Sequence, residues 1–335
     1  MRTLGFLSFG HYQPVRDSRT LAARDALTQT IELAIAAEEI GIGMATVRVH
    51  HFARQASTPF PLLVAITTGT HRIEIGTAVI DMRYENPYAM TEQAAVADLI
   101  SRGRLQLGLS RGSQDVALRG YEAFGQVPAK GMSDSDMAVH HTAEFRRVVA
   151  GQPVASTDPT AGPVTGPSVE PYSPVLTERI WWGSSSTRAS AAWTAERGVN
   201  LMSSALLSED IGRPLDELQC EQIDTCRKAW RSAGHAYTPR VSVSRSVLPI
   251  TSDERPTLPV RAGCGDVGEY RAAPQSRRLA QPDPRRPPDR PPSAPGQSSS
   301  AGSRVEAGVP PRRTSALSRA RCCAGPLRIP RSPHA

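Results

Sequence analysis

The sequence predicts an α/β fold of the TIM, or (β/α)8, barrel type, in which the barrel is incomplete and a tail follows it. Three observations lead to this fold class. Short β-rich runs alternate with helical runs over the first 250 residues, seven strands can be counted with a helix between each pair, and the pattern stops near residue 252. About seven βα units are therefore expected, one short of a closed barrel.

The predicted elements follow one another along the first 250 residues. The first strand is a short apolar run, and the first helix presents Ile31 and Ile35 on one face before Gly41, which favours helix termination. Proline 59 marks the start of the second helix, and a Pro- and Gly-rich loop at 152–176 interrupts the alternation without ending it. The predicted strands are 3–10, 44–50, 72–80, 104–110, 179–185, 200–204 and 240–250. The predicted helices are 28–41, 59–70, 89–101, 134–151, 187–198 and 214–234.

The last part of the chain differs in composition, so we divide the sequence into a barrel at 1–252 and a tail at 253–335. Residues 251–335 contain 15 of the 29 prolines, and 15 arginines against 7 acidic residues. Proline fixes φ and removes a backbone donor, and nothing apolar recurs there, so disorder is expected. Translation of a GC-rich gene out of frame would give the same composition. We therefore hypothesise a frameshifted C-terminus, with a native disordered tail on a shortened barrel as the alternative.

Charge and cysteine usage exclude several classes of protein. The tail carries about +8 by these counts, which leaves about −1 for the first 250 residues of a chain with a net charge of +7. A nucleic-acid-binding surface on the barrel is therefore not supported. The five cysteines show no metal or disulfide spacing, and the sequence has neither a signal-peptide pattern nor a run of about 20 apolar residues. We expect a soluble cytoplasmic protein without a metal site or a membrane partner.

Functional groups of such a barrel gather where its strands end, and two of these ends have the composition of an anion site. Arg111, Gly112 and Ser113 follow the fourth strand, so a guanidinium, a small residue and a hydroxyl can converge on a phosphate. Gly183 precedes four hydroxyl residues that lead into a helix, whose first N–H groups favour an anion. These hydroxyl residues are Ser184, Ser185, Ser186 and Thr187. An ordinary turn and a helix N-cap are the alternatives.

Two adjacent histidines, His50 and His51, end the second strand and leave three interpretations open. Neighbouring strand residues point to opposite faces, so at most one of them faces the barrel mouth. A metal site would need further ligands, for which His11 and Asp81 are available. The other two interpretations are a catalytic acid or base and a packed structural histidine. The sequence contains no G-x-G-x-x-G motif after the first strand, so a Rossmann dinucleotide site is not supported. It also contains no G-x-S-x-G motif, so a hydrolase elbow is not supported.

Four segments together resemble the bacterial luciferase-like monooxygenases, a family of flavin-dependent (β/α)8 enzymes. They are "HHF" at 50–52, "RIEIGTAVI" at 72–80 with "NP" after it, "DLISRGRLQLGLSRG" at 98–112 and "AAWTAERGVNLM" at 191–202. The resemblance extends over about residues 2–250. It implies a monooxygenase that uses reduced FMN and O2 to oxidise a small organic substrate, with a separate flavin reductase as its partner. A homodimer is compatible with it.

The resemblance also implies roles for individual residues. His50 matches the family's active-site histidine, which handles protons beside the flavin, and Ser110 stands where the luciferase itself has a reactive cysteine. The pair at 78–79 matches a position where the family often has a cis non-proline peptide under the flavin ring. Asp81, Arg83 and Tyr84 lie near where substrate would enter. The residues implied as cofactor-binding are Ala78, Val79, Ser110, Arg111, Gly112, Ser113, Gly183, Ser184, Ser185, Ser186 and Thr187.

Three other functions stay open at this point. A deazaflavin-dependent oxidoreductase of the same superfamily would use the same phosphate site. A chain without the eighth strand would have two open sheet edges and an unfinished core, so it could be a non-functional remnant. The barrel could also serve only to present the basic tail to a partner.

Overall fold

Seven parallel strands with helices between them make up the part of the molecule that a computed structural model describes. The described residues are 3–14, 20–112, 117–158, 160, 166–185, 187–205 and 213–245. The strands are β1 Gly5–Ser8, β2 Met44–Val47, β3 Glu74–Asp81, β4 Leu105–Ser110, β5 Ile180–Ser184, β6 Asn200–Ser203 and β7 Val241–Val243. The helices are α1 Ala23–Glu39, α2 Pro59–Thr68, α3 Pro87–Ile100, α4 Asp134–Val149, α5 Arg188–Glu196 and α6 Leu215–Ser232. This alternation confirms the predicted α/β barrel-type fold.

The last strand, predicted at 240–250, ends at Val243, and its predicted residues 246–250 lie outside the described residues. The other main difference is at α1, which begins five residues earlier than expected. Its first turn carries no apolar stripe, but the carboxylate of Asp25 accepts a hydrogen bond from the N–H of Ala22 at 2.9 Å and Ala26 is buried. Two 3-10 turns are not predicted: Gly120–Phe124 lies between the predicted fourth strand and fourth helix, and Leu176–Arg179 runs from the end of the predicted loop to the first residue of the predicted fifth strand. The predicted tail lies outside the described residues.

All seven strands belong to one sheet in sequence order, and each pairs in parallel with its neighbours. An ion pair shows that the sheet is curled. Glu74 of β3 and Arg240, which precedes β7, lie 2.7 Å apart. In a flat sheet two strands four positions apart would be roughly 19 Å from each other, too far for these side chains to meet. Gln106 of β4 and Trp181 of β5 form a further polar contact, in which Trp181 Nε1 donates to Gln106 Oε1 at 2.8 Å.

The helices cover the outer face of the sheet, and the main core lies between the two layers. Leu63 of α2, Ala94 of α3 and Phe145 of α4 are fully buried there against Ile75 and Leu107 of the sheet. Burial on both faces explains why β3 and β4 read as nearly continuous apolar runs. No helix within the described residues is long and apolar enough to cross a membrane.

The segment "DLISRGRLQLGLSRG" connects the bottom of the barrel to its top. Asp98, which is 2% exposed, accepts hydrogen bonds from Arg179 Nη2 at 2.8 Å and from Ser173 Oγ at 2.5 Å. Arg104 donates to the carbonyl oxygens of Thr70 and Ile73 at 3.0 and 2.9 Å. These contacts join the start of β4 to two other parts of the chain, so the first half of the motif stabilises the fold and its second half reaches the strand end.

Candidate active site

A small cleft opens at the C-terminal ends of β2, β3 and β4. Its lining consists of Arg48, Val49, His50, His51, Val79, Asp81, Ser110 and Gly112. Five of these residues are ones that the family resemblance assigns to the site: His50, Val79, Asp81, Ser110 and Gly112. The tertiary structure therefore brings candidates from three strand ends to one cavity, although they span about 60 residues of the sequence. The cavity lies at the end of the barrel where functional groups of this fold gather.

The peptide bond between Ala78 and Val79 is cis, as the family resemblance leads us to expect. The bond lies where the pairing of β3 with β4 changes register, between Thr77 and Ile80. The Val79 side chain then packs towards β4 and β5, where only glycine leaves room for it. A Cβ at Gly108 would lie 3.1 Å from Val79 Cγ1, and a Cβ at Gly183 would lie 2.8 Å from the same atom. Gly183 thus makes space for the cleft wall.

The two histidines after β2 have different surroundings. His51 is buried, stacks on the Tyr84 ring with centroids 4.2 Å apart, and meets Phe124 edge-on at 4.9 Å. His50 is half-buried, and its backbone N–H donates to the Ala56 carbonyl at 2.9 Å. Both rings border the cleft, but the ring of His51 is committed to an aromatic cluster.

His11 lies on the β1 side of this region. Burial lowers the pKa of the His11 imidazole, and the charges of Arg48 and His50 lower it further. The three groups are therefore close enough to influence one another. Within the described residues, no group of three or more His, Cys, Asp or Glu side chains is close enough to hold a metal ion.

The end of β4 is shaped by hydrogen bonds around Ser110. Its hydroxyl accepts from the N–H of Gly112 at 3.1 Å and lies 3.4 Å from the Ile80 carbonyl. Gly112 has a φ of +86°, which favours glycine, and a Cβ there would collide with the side chains of Asp81 and Arg83. Arg111 between them is exposed. Ser113 lies outside the described residues.

The three residues expected near the substrate, Asp81, Arg83 and Tyr84, are all buried in the wall beside the cleft. Arg83 donates from Nε and Nη2 to the carboxylate of Asp81 at 3.0 and 2.6 Å, and from Nη1 to Asp134 of α4 at 3.0 Å. The guanidinium also lies 6.0 Å from the centre of the Tyr84 ring. This ion pair therefore supports the loop that carries Arg111, and of the three only Asp81 lines the cavity.

The hydroxyl run after β5 divides into buried and exposed members. Ser184 is 3% exposed and points away from the cleft, since its Oγ accepts a hydrogen bond from Gln222 of α6 at 2.5 Å. Thr187 is the N-cap of α5, with its Oγ1 accepting from the Ser190 N–H at 3.3 Å. Ser185 is exposed, and Ser186 lies outside the described residues. The pairing of β4 with β5 ends at Leu109 and Trp182, and Arg111 and Ser184 each lie two residues beyond that pair.

Two residues of this region are missing from the sequence-based set. Burial and then the charge of the nearby Asp81 together raise the pKa of the Glu85 carboxyl to about 7. Gln222 reaches the β5 end from a helix 38 residues later in the chain. Neither stands out in the sequence, because a single Glu before "NP" and a Gln on an amphipathic helix are common surface patterns.

The sequence matches the luciferase-like monooxygenase family over residues 2–306, and the chain belongs to that family. The protein YwcH of Bacillus subtilis is 35% identical over 91 residues, which are 27% of each chain. The oxygenase component of the flavin-dependent trigonelline monooxygenase of Acinetobacter baylyi is 28% identical over 110 residues, 32% of this chain and 30% of the relative. Each of these alignments spans less than a third of the relative's own length.

Solved structures share the fold over most of the described region. The monooxygenase RslO1 of Streptomyces bottropensis has a TM-score of 0.57 at 22% identity, covering 72% of this chain and 70% of its own. The oxygenating constituent of 3,6-diketocamphane monooxygenase from Pseudomonas putida, solved with FMN, has a TM-score of 0.54 at 17% identity over 72% and 66%. A coenzyme F420-dependent tetrahydromethanopterin reductase of Methanopyrus kandleri reaches 0.51 at 13% identity over 72% and 64%. At these identities the likeness is one of fold.

Proposed function

We propose that this protein is an FMN-dependent monooxygenase that uses reduced FMN and O2 to oxidise a small organic substrate. The observation that carries this proposal is the cleft in which His50, Val79 and the β4 end meet. Family membership supports a flavin, and the name of the Acinetobacter relative, an oxygenase component, supports a separate reductase as the source of reduced FMN. The fold neighbour solved with FMN agrees with this choice of cofactor.

The residues present fit a flavin mononucleotide. The exposed Arg111 guanidinium and the first N–H groups of α5 would hold the phosphate, and Gly112, which lines the cleft and has no side chain, would let the backbone approach the ligand. Val79 would form the floor under the flavin ring. Bound reduced flavin supplies the electrons with which O2 is activated. His50 would hold or release a proton at the edge of the cleft, and the aromatic cluster around Tyr84 would exclude water.

Flavin titration and a variant of His50 test the proposal. We expect the full-length protein to bind FMN, and to couple oxidation of reduced FMN, delivered by a flavin reductase, to oxygenation of a substrate. His50→Ala should lower turnover by about 100-fold, the usual contribution of one acid–base group, while FMN affinity stays close to that of the unmodified protein. His140→Ala, which changes an exposed histidine on α4, is the matched control. Unchanged turnover in His50→Ala would reject the catalytic role of this residue.

A deazaflavin-dependent oxidoreductase is the second candidate, because one of the fold neighbours depends on coenzyme F420. Parallel titrations with FMN and coenzyme F420 separate the two cofactors. Tighter binding of coenzyme F420, together with substrate oxidation that needs no O2, would replace the leading proposal. The homodimer stays a prediction, which light scattering on the purified protein tests.

A further inference from the structure

One buried amide holds both ends of the turn that leads from β5 into α5. Gln222 is fully buried on α6, and its Nε2 donates to Ser184 Oγ at 2.5 Å and to the Thr187 carbonyl at 3.4 Å. Ser184 is the last residue of β5, and Thr187 is the N-cap of α5. A single NH2 group with two donors therefore bridges the strand end and the helix start.

The two Gln222 bonds add side-chain contacts to a turn whose strand end is also held by the Ser204 N–H, which donates to the Ser184 carbonyl at 2.9 Å. Among the described residues Gln222 Oε1 has no hydrogen-bond partner, so the Nε2 bonds are what orient the buried amide there. The Thr187 carbonyl also accepts the first hydrogen bond within α5, from the Ala191 N–H at 3.3 Å. The location of this carbonyl sets where the helix begins, and with it the direction of the first free N–H groups.

We propose that Gln222 is a positioning residue for the phosphate end of the flavin. It lies behind the turn and does not reach the ligand, because its side chain is fully buried against Ser184. It holds Ser184, the end of the strand that leads into α5, and Arg111 and Ser184 each lie two residues beyond the last pair between β4 and β5, Leu109 and Trp182. This inference rests on the proposed function, in which these two elements hold the phosphate.

Comparing FMN with riboflavin isolates the phosphate contribution, because the two differ only in that group. In full-length protein, Gln222→Met should reduce the ratio of FMN affinity to riboflavin affinity by about tenfold. This change corresponds to the net contribution of about one hydrogen bond to the binding free energy. Riboflavin affinity should stay nearly constant. Fluorescence quenching of each flavin measures both constants.

Two further variants keep the test decisive. Ser184→Ala removes the strand end of the bridge at little cost in volume, so it should lower the ratio as Gln222→Met does, and the double variant should be no worse than either single change. Gln219→Met is the matched control, because this buried glutamine one turn earlier donates to the carbonyls of Ser203 and Ser204 instead. It should reduce thermal stability and leave the affinity ratio unchanged.

The outcomes distinguish this inference from the function on which it rests. Equal affinities of the unmodified protein for FMN and riboflavin would contradict the phosphate site itself, and the inference with it. If the unmodified protein prefers FMN and the ratio survives in both Gln222→Met and Ser184→Ala, Gln222 has only a structural role. If Gln222→Met does not fold, the ratio in Ser184→Ala alone decides.

Discussion

Glu38, near the end of α1, has a buried carboxylate that accepts hydrogen bonds from the backbone N–H groups of the segment before β3. Its side chain accepts hydrogen bonds from the N–H groups of His71, Arg72 and Ile73 at 3.0, 2.6 and 2.7 Å, just before β3. Burial by itself would raise the pKa of Glu38, but these three bonds and the charge of Arg72 outweigh it and lower the pKa to about 2. The ionised form therefore stabilises the fold.

We predict that Glu38→Gln lowers the free energy of unfolding at pH 7 by about 2–3 kcal/mol. Because the folded-state pKa is depressed, this stabilisation is present above the unfolded value near 4.5 and is lost as the pH falls through about 2. Urea unfolding at pH 7, 5 and 3 measures the effect, with Glu39→Gln, an exposed neighbour, as the control. Equal losses in the two variants would contradict the role of Glu38.

Glu85, after the end of β3, has the opposite behaviour. Burial and then the Asp81 charge raise the pKa of its carboxyl to about 7, so ionisation opposes folding. The associated stability is fully present below the unfolded pKa near 4.5 and is lost as the pH rises through about 7. We predict that Glu85→Gln is about 2 kcal/mol more stable than the unmodified protein at pH 8 and equally stable below pH 5, by the linkage between protonation and folding.

Thermal unfolding at pH 5 and pH 8 measures this difference. The control is Glu92→Gln, which changes an exposed glutamate on α3. A stability gain in Glu85→Gln that does not depend on pH would show that the charge of Glu85 is not its cause.

The strand ends of β3 and β4 act together as one structural element. The ion pair of Arg83 with Asp81 and Asp134 lies under Gly112, so the loop after β4 rests on side chains from β3 and α4. Breaking such a buried pair leaves an uncompensated charge and is costly. The position of Arg111 in the proposed phosphate site thus depends on residues that do not touch the ligand.

We predict that Gly112→Ala weakens FMN binding at least about tenfold, because a displaced Arg111 loses a charge-assisted hydrogen bond. The new Cβ would collide with Arg83 and Asp81 in addition to forcing a left-handed backbone. Gly125→Ala is the matched control, since Gly125 has a φ of +77° but nothing within 4 Å of a Cβ. It should cost about 1 kcal/mol of stability and leave FMN affinity unchanged. Equal FMN affinities in the two variants would contradict the prediction.

The curled sheet as a whole is joined across its interior by Glu74 and Arg240. Gln106 Nε2 also donates to Glu74 at 3.0 Å, and the Arg240 guanidinium lies 5.0 Å from the centre of the Trp181 ring. Four of the seven strand regions are thus joined through one polar layer. Both charged side chains keep contact with solvent, which screens their attraction.

A double-mutant cycle with Glu74→Gln and Arg240→Met measures this connection. We predict a coupling energy of about 0.5–1 kcal/mol that decreases at high salt, as expected for a partly exposed ion pair. The pair of Arg213, which precedes α6, with Glu217 in its first turn is the control and should show weaker coupling. No measurable coupling between Glu74 and Arg240 would mean that the polar layer does not hold β7 to β3.

The division at residue 252 stays a prediction from composition, and the family match extends past it to residue 306. Sequencing the gene across codons 250 to 335 tests the frameshift hypothesis. We expect an intact apolar βα unit in a neighbouring frame. If no frame encodes one, the tail is native to this gene.

Local patterns were sufficient for much of the fold and for part of the site. Apolar periodicity and turn residues located the seven strands and six helices of the described residues, the strand-end rule selected His50 and Gly112, and the family resemblance added Val79 in the same cavity. The same rule treated Ser184 and its neighbours as equivalent. Composition cannot distinguish them, because whether a hydroxyl faces a ligand or a helix depends on what packs against it.

The sequence by itself determined the order of βα units, the strand ends that carry polar groups, and the family. These depend on residues close together in the chain. Only the tertiary structure decided that Arg83 is held by Asp134, that Ser184 is bound to Gln222, and that Glu74 meets Arg240. The partners in these contacts are 51, 38 and 166 residues apart. Such pairings follow from how the sheet curls and how helices pack on it, which no local periodicity encodes.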